Sequence, residues 1–220
     1  MRLAIFDLDN TLLAGDSDYL WGKFLCQHGA VDADHYECTN QRFYDEYKAG
    51  KLDIYEFLEF SLAPLARFSP EQLDKLHHQF MQDIISPLIT PAARELVEQH
   101  RGQGDTLMII TATNRFITAP IAQAFGVEHL LATEVEMKEG RYTGKVADIP
   151  CFQDGKVKRL QRWLDENDAD LTDSWFYSDS HNDLPLLEKV THPVAVNPDD
   201  TLRSVAVQRD WPILQLHHDN

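Results

Sequence analysis

Apolar positions follow two rhythms along this chain. Leu3-Ala4-Ile5-Phe6 is a short unbroken apolar run that stops at Asp7, and a run of that length reads as a buried strand of a parallel sheet. Leu107-Met108-Ile109-Ile110 ending at Thr111, Trp175-Phe176-Tyr177-Ser178 ending at Asp179, and Pro193 to Val196 as the last strand read the same way. From about Asp16 to Ile85 the strand signal is absent and apolar residues recur at helical spacing. Tyr19, Leu20, Phe24 and Leu25 form one such face, Phe43, Tyr44 and Tyr47 another, and Ile54, Phe57, Leu58 and Leu62 a third. Pro64 predicts a break, and Ser69-Pro70 predicts a capped helix start leading into Leu73, Leu76 and Phe80.

Beyond Thr90 helices and strands alternate. Thr90-Pro91 opens a helix, and a second is expected over about 115–125, bent or restarted at Pro120 and closed by Gly126. Val135-Glu136-Met137 and Tyr142 to Val146 form a hairpin, and a third helix runs over about 156–166. This order predicts an α/β chain: a Rossmann-like parallel sheet with helices on both faces and a small helical cap inserted after the first strand. The expected division is a core of residues 1–15 and 86–220 with a cap of residues 16–85.

Bulk composition narrows the partners. The 220 residues carry 36 acidic and 20 basic side chains, a formal charge of −16, which disfavours nucleic acid and anionic membranes because attraction to either needs Lys and Arg. Arg2 is followed at once by the first strand, which leaves no leader pattern, and no apolar run approaches the roughly 20 residues of a bilayer span. Three cysteines without CxxC spacing indicate neither a disulfide framework nor a zinc site, so a cytoplasmic protein, monomer or homodimer, is expected. The histidines lack metal-binding spacing; His77-His78 and His217-His218 read as exposed, and His181 as either a solvated loop residue or a substrate contact. Tyr19, Trp21, Phe24, Phe57 and Phe60 read mainly as helix core, with one or two free to roof a pocket.

Strand ends are where ligands bind in such sheets, and here they carry chemistry. Asp7 and Asp9, at i and i+2, would share one side if strand geometry persisted, and a divalent cation is the natural relief of their repulsion. Thr111, Lys156, Asp179 and Asp183 fall on the same side of the inferred sheet. Carboxylates, a metal, a lysine and a hydroxyl together suggest phosphoryl transfer.

At these residues the chain resembles the haloacid dehalogenase superfamily of phosphohydrolases. Its four motifs match as Asp7-Leu8-Asp9-Asn10-Thr11, Thr111, Lys156, and Asp179-Ser180-His181-Asn182-Asp183, and the insertion after the first is similar to the phosphoserine phosphatase branch. The resemblance implies Asp7 as a nucleophile that becomes an aspartyl phosphate, and Asp9 as the acid and then the base. It implies Mg²⁺ held by Asp7, the Asp9 carbonyl and Asp179, and a phosphoryl group held by Thr111 and Lys156. Thr11, Ala112, Asn182 and Asp183 would complete the phosphate-binding set. A phospho-receiver uses similar groups, but it is shorter, lacks the insertion and needs no leaving-group acid such as Asp9. A phosphotransferase or mutase would pass the group to a second alcohol.

Substrate choice falls to the cap. Asp16, nine residues after the nucleophile, looks equivalent to the family's amine-binding acid, whereas the family's carboxylate-binding arginine is replaced by Glu59 or Ser61, with Arg67 nearby. An amine without a carboxylate then suits the site better than phosphoserine. The expected substrate is a small amino-alcohol phosphate, histidinol phosphate first, with phosphoserine, phosphoethanolamine and phosphocholine as alternatives.

Overall fold

The structure, a computed structural model, describes residues 2–217. Strand β1 (Leu3–Phe6) is followed by helices α1 (Ser17–Gln27), α2 (Ala33–Lys48), α3 (Ile54–Leu62) and α4 (Pro70–Phe80), then a short α5 (Ser86–Leu88). The remainder alternates: α6 (Pro91–Gly102), β2 (Thr106–Asn114), α7 (Arg115–Ala124), β3 (His129–Thr133), β4 (Val135–Lys138), β5 (Arg141–Val146), α8 (Asp154–Glu166), β6 (Trp175–Ser178), α9 (Leu184–Leu187), β7 (His192–Val196), α10 (Asp200–Gln208) and β8 (Ile213–Leu214). Six strands form a parallel sheet in the order β3-β2-β1-β6-β7-β8, and β4 pairs with β5 in an antiparallel hairpin.

Period-two alternation sends β1 into two cores. Ala4 and Phe6 pack with Val97 of α6 and Ile117 and Ile121 of α7, while Leu3 and Ile5 pack with Leu160 and Leu164 of α8 and Leu202 of α10. Helices therefore cover both faces, as the alternating pattern predicts. Two strands were not foreseen, β3 and β8: β3 offers three apolar residues between His129 and Thr133, and β8 is two residues long. The last strand is thus β8 rather than β7. Strand β2 also runs on past Thr111 to Asn114 through an irregularity in its pairing with β3, and α7 passes Pro120 unbroken.

The insertion leaves the sheet and returns to it at one place. Leu13 and Ile89 form an antiparallel bridge, and the Ala14 N–H donates to the Leu88 carbonyl at 3.0 Å. Within it, α1 sends Trp21, Phe24 and Leu25 into the same core as Phe6, whereas Leu58, Leu62, Leu65 and Leu73 gather a separate cluster against the β4–β5 hairpin. As Pro64 and Ser69 foretell, α3 ends at Leu62 in a 3₁₀ turn, and Ser69 with Gln72 forms a capping box on α4. No helix among the described residues is long and apolar enough to cross a membrane.

Candidate active site

The three central strands β2, β1 and β6 end together, and their carboxyl edge supplies the reactive side chains. Asp7 continues β1, with its N–H donating to the Tyr177 carbonyl at 2.9 Å. Strand geometry stops there. Leu8–Leu12 form one widened turn in which Asp9 is extended and Asn10 takes φ 56°, a left-handed conformation that Asn tolerates better than most residues. The turn brings the Asp9 carboxylate against β2. Its Oδ2 accepts from Thr113 Oγ1 at 2.8 Å and Thr111 Oγ1 at 3.4 Å, and its Oδ1 accepts from the Ser17 N–H at 2.6 Å. Strand geometry does not persist to Asp9, yet Asp183 and Asp9 both press negative charge on Asp7, so the expected repulsion remains.

Lys156 stands between Asp7 and Asp183. Its Nζ donates to Asp7 Oδ1 at 2.7 Å and to Asp183 at 2.8 Å, all three side chains being buried. Burial pushes the Asp7 carboxyl up to about 7 against the pull of Lys156, with Asp183 and Asp9 adding to the rise. Burial opposes the Lys156 charge, but Asp183 and Asp7 outweigh it and hold the ammonium above the usual lysine range. Asp183 in turn accepts from Ser178 Oγ at 2.7 Å. Lys156 opens α8 behind Gly155, where an added Cβ would lie 2.0 Å from the Pro150 carbonyl oxygen, so glycine alone fits that turn.

Thr11 links the far side of the cluster. Its hydroxyl lies 3.3 Å from Asp7 Oδ2 and 3.1 Å from Asp179 Oδ1, and it accepts from the Asp179 N–H at 3.0 Å. One hydroxyl proton can serve only one of the two carboxylates. Burial, then the charges of Asp7 and Asp183, push the Asp179 carboxyl well above the usual carboxylate range. This surplus negative charge is what a divalent cation relieves, and hard oxygen donors suit Mg²⁺. Among the described residues no three His, Cys, Asp or Glu side chains form a ready cage.

Asp7 lies in the lining of a cleft. Asp9, Thr111, Ala112, Lys156, Asn182 and Asp183 line its floor, and Asp16 and Asp18 one wall. The aromatic side chains lining it are Tyr19, Phe43, Tyr44, Tyr47, Phe57 and Phe152. Among the lining residues Lys156 is the one cation. Asp16 caps α1 by accepting from the Tyr19 N–H at 2.9 Å; burial and then Asp9 push its carboxyl up to about 7, and burial and then Asp16 push Asp18 well above the usual range.

Of the residues chosen from sequence, Asp7, Asp9, Thr11, Thr111, Lys156, Asp179, Asn182 and Asp183 converge, with Ala112 and Asp16 on the cleft. Glu59 does not join them: it is exposed on α3, which buries Leu58, Ser61 and Leu62 instead, and Arg67 is exposed too. Trp21 and Phe24 are core, while Tyr19 and Phe57 reach the cleft. His181 docks on the cap rather than the cleft: its Nδ1 bonds Asp199 at 2.7 Å and its Nε2 faces Gly50. His77 and His217 are buried rather than exposed, His77 bonding the Ile117 carbonyl at 3.1 Å; His78 is exposed, and His218 lies outside the described residues. Sequence reasoning missed Thr113, Ser178 and Gln153, which donates to Asn182 Oδ1 at 2.9 Å. Thr113 and Ser178 stand within two residues of or at chosen strand ends, a signal that reading each strand as stopping at its first polar residue discards.

Comparison with known proteins gives the family. The sequence pattern of the haloacid dehalogenase-like hydrolases matches residues 4–188. A histidinol-phosphatase from Neisseria meningitidis serogroup C (strain 8013) is 47% identical over 217 residues, 97% of this chain and 98% of that protein. A crystal structure of a protein of unknown function from Bordetella pertussis Tohama I superposes with a TM-score of 0.93 at 46% identity, over 98% of this chain and 99% of that one. A substrate-bound phosphoserine phosphatase shares the fold at 18% identity, with a TM-score of 0.72 over 99% of this chain and 94% of that one. The chain belongs to the haloacid dehalogenase-like hydrolases and is an enzyme of their phosphatase kind.

Proposed function

We propose that this enzyme hydrolyses a small amino-alcohol phosphate, histidinol phosphate foremost, with Mg²⁺ bound and through an aspartyl phosphate on Asp7. The observation that carries the reading is the cleft wall: Asp16 and Asp18 stand against aromatic rings, with no arginine among the lining residues. Two crowded, desolvated carboxylates gain by receiving a cation. Aromatic faces suit a planar, positively charged ring. A substrate carboxylate would find no arginine there and would lie beside two acids. The relative named histidinol-phosphatase, 47% identical over nearly the whole chain, supports the same choice.

In this reading Asp7 attacks phosphorus, the bond to the alcohol oxygen breaks, and Asp9 gives that oxygen a proton. Water then attacks the aspartyl phosphate, Asp9 takes the water's proton, and inorganic phosphate leaves. Asp9 is the group fitted to this duty because Thr111, Thr113 and Ser17 fix its carboxylate in the lining of the cleft. Lys156 and Thr111 hold the phosphoryl oxygens, with Thr11, Ala112, Asn182 and Asp183 around them. Asp7, the Asp9 carbonyl and Asp179 would hold Mg²⁺, which when bound offsets charge on the carboxylates and the phosphoryl group. Residues 16–85 act as the cap that closes the cleft and excludes water. The setting is cytoplasmic.

The test is phosphate release from histidinol phosphate. Wild-type protein with Mg²⁺ should release it steadily, and Asp7→Asn, folded by circular dichroism, should be slower by at least about 10³-fold. Substantial turnover by the variant would show that Asp7 is not the nucleophile.

A further inference from the structure

We infer that His217 is a positioning residue for the nucleophile loop, an inference that rests on the reading of Asp7 as nucleophile. Thr11 lies inside the widened turn Leu8–Leu12 and is completely buried. A buried carbonyl must find a donor. The Thr11 carbonyl finds the His217 imidazole, whose Nε2 donates to it at 2.6 Å across 206 residues of sequence.

The imidazole is itself held in place. Asn197, at the carboxyl end of β7, accepts through Oδ1 from the N–H groups of Leu216 at 2.8 Å and His217 at 3.1 Å. Its amide donates to the His217 carbonyl at 2.7 Å, and its own N–H donates to the Leu214 carbonyl at 2.9 Å. The segment after α10 thus adds β8 to the sheet edge and delivers one ring beneath the loop.

Thr11 carries that support to the chemistry. Its carbonyl is fixed by His217, and its hydroxyl stands between Asp7 and Asp179 and receives the Asp179 N–H. Fixing the carbonyl fixes the rotation of this residue, and with it the placement of the hydroxyl against both carboxylates. His217 touches no substrate and acts through Thr11.

His217→Gln and His217→Asn in the full chain separate this role from simple filling. The glutamine amide reaches toward the place of Nε2, whereas asparagine is one bond shorter. With p-nitrophenyl phosphate and Mg²⁺, and kcat normalised to the folded fraction, Gln should stay within about 3-fold of wild type. Asn should fall about 10-fold with KM changed less than about 2-fold. Asn197→Ser, which frees the segment but keeps the imidazole, should give the same fall in kcat. Equal kcat for Gln and Asn, or a loss confined to KM, overturns the inference. A wild type without turnover, or an active Asp7→Asn, overturns the reading of Asp7 itself.

Discussion

Thr113 Oγ1 donates to Asp9 Oδ2 at 2.8 Å, a bond between two residues 104 positions apart. It exists because β2 runs past Thr111 and because the turn after Asp7 swings Asp9 toward β2 instead of along β1. In the proposed mechanism this held carboxylate is the one that moves the proton. Thr113→Val removes the donor while keeping the shape. It should lower kcat for an amine-bearing substrate about 10-fold with little change in KM, measured by steady-state phosphate release.

The raised carboxyls of Asp16 and Asp179 make stability depend on pH. An unfolded aspartate titrates near 3.9, whereas Asp16 in the fold titrates at about 7 and Asp179 also lies well above its usual range. The folded protein therefore holds protons that the unfolded chain has released, so this contribution is fully present below about pH 4 and is lost as pH rises toward about 7. In EDTA, replacing Asp179 with Asn should flatten the fall of Tm between pH 5 and pH 8. Adding Mg²⁺ should raise the wild-type Tm more at pH 8 than at pH 5, because ligation needs the ionised carboxylate. Equal shifts at the two pH values would count against a metal at Asp179.

Asp16 has two duties that one substitution can part. Asparagine still caps α1 but carries no charge for a substrate amine. Asp16→Asn should cut kcat/KM for histidinol phosphate by about 10- to 100-fold and change that for p-nitrophenyl phosphate by less than about 3-fold. A thermal melt checks that the cap is kept.

Gly155→Ala probes the seat of Lys156. The new methyl would meet the Pro150 carbonyl, which is backbone and cannot turn aside, so the start of α8 must shift. The variant should lose about 1–3 kcal/mol of stability in urea unfolding and at least about 10-fold in kcat, since Lys156 bonds both Asp7 and Asp183.

Much of this site was legible because motif and strand end coincide. Asp7, Thr111 and Asp179 each follow an apolar run, and parallel pairing of the neighbouring strands brings the three ends together whatever the loops do. Strand geometry does not persist from Asp7 to Asp9 because a turn with Asn10 at positive φ intervenes, and no period in the sequence announces it. Glu59 was misplaced by sliding a helix ungapped; the face of α3 that buries Leu58, Ser61 and Leu62 leaves it in solvent. His217 was illegible for a different reason. Its partner is a backbone carbonyl more than two hundred residues away, and such a bond leaves no local pattern.

The most direct measurement is kcat/KM across a panel of small phosphomonoesters with Mg²⁺: histidinol phosphate, phosphoethanolamine, phosphocholine and phosphoserine. Histidinol phosphate should come first, by at least about 10-fold over phosphoserine, because acids and aromatic rings line the cleft and no arginine does. Phosphoserine outrunning every amino-alcohol phosphate would contradict it.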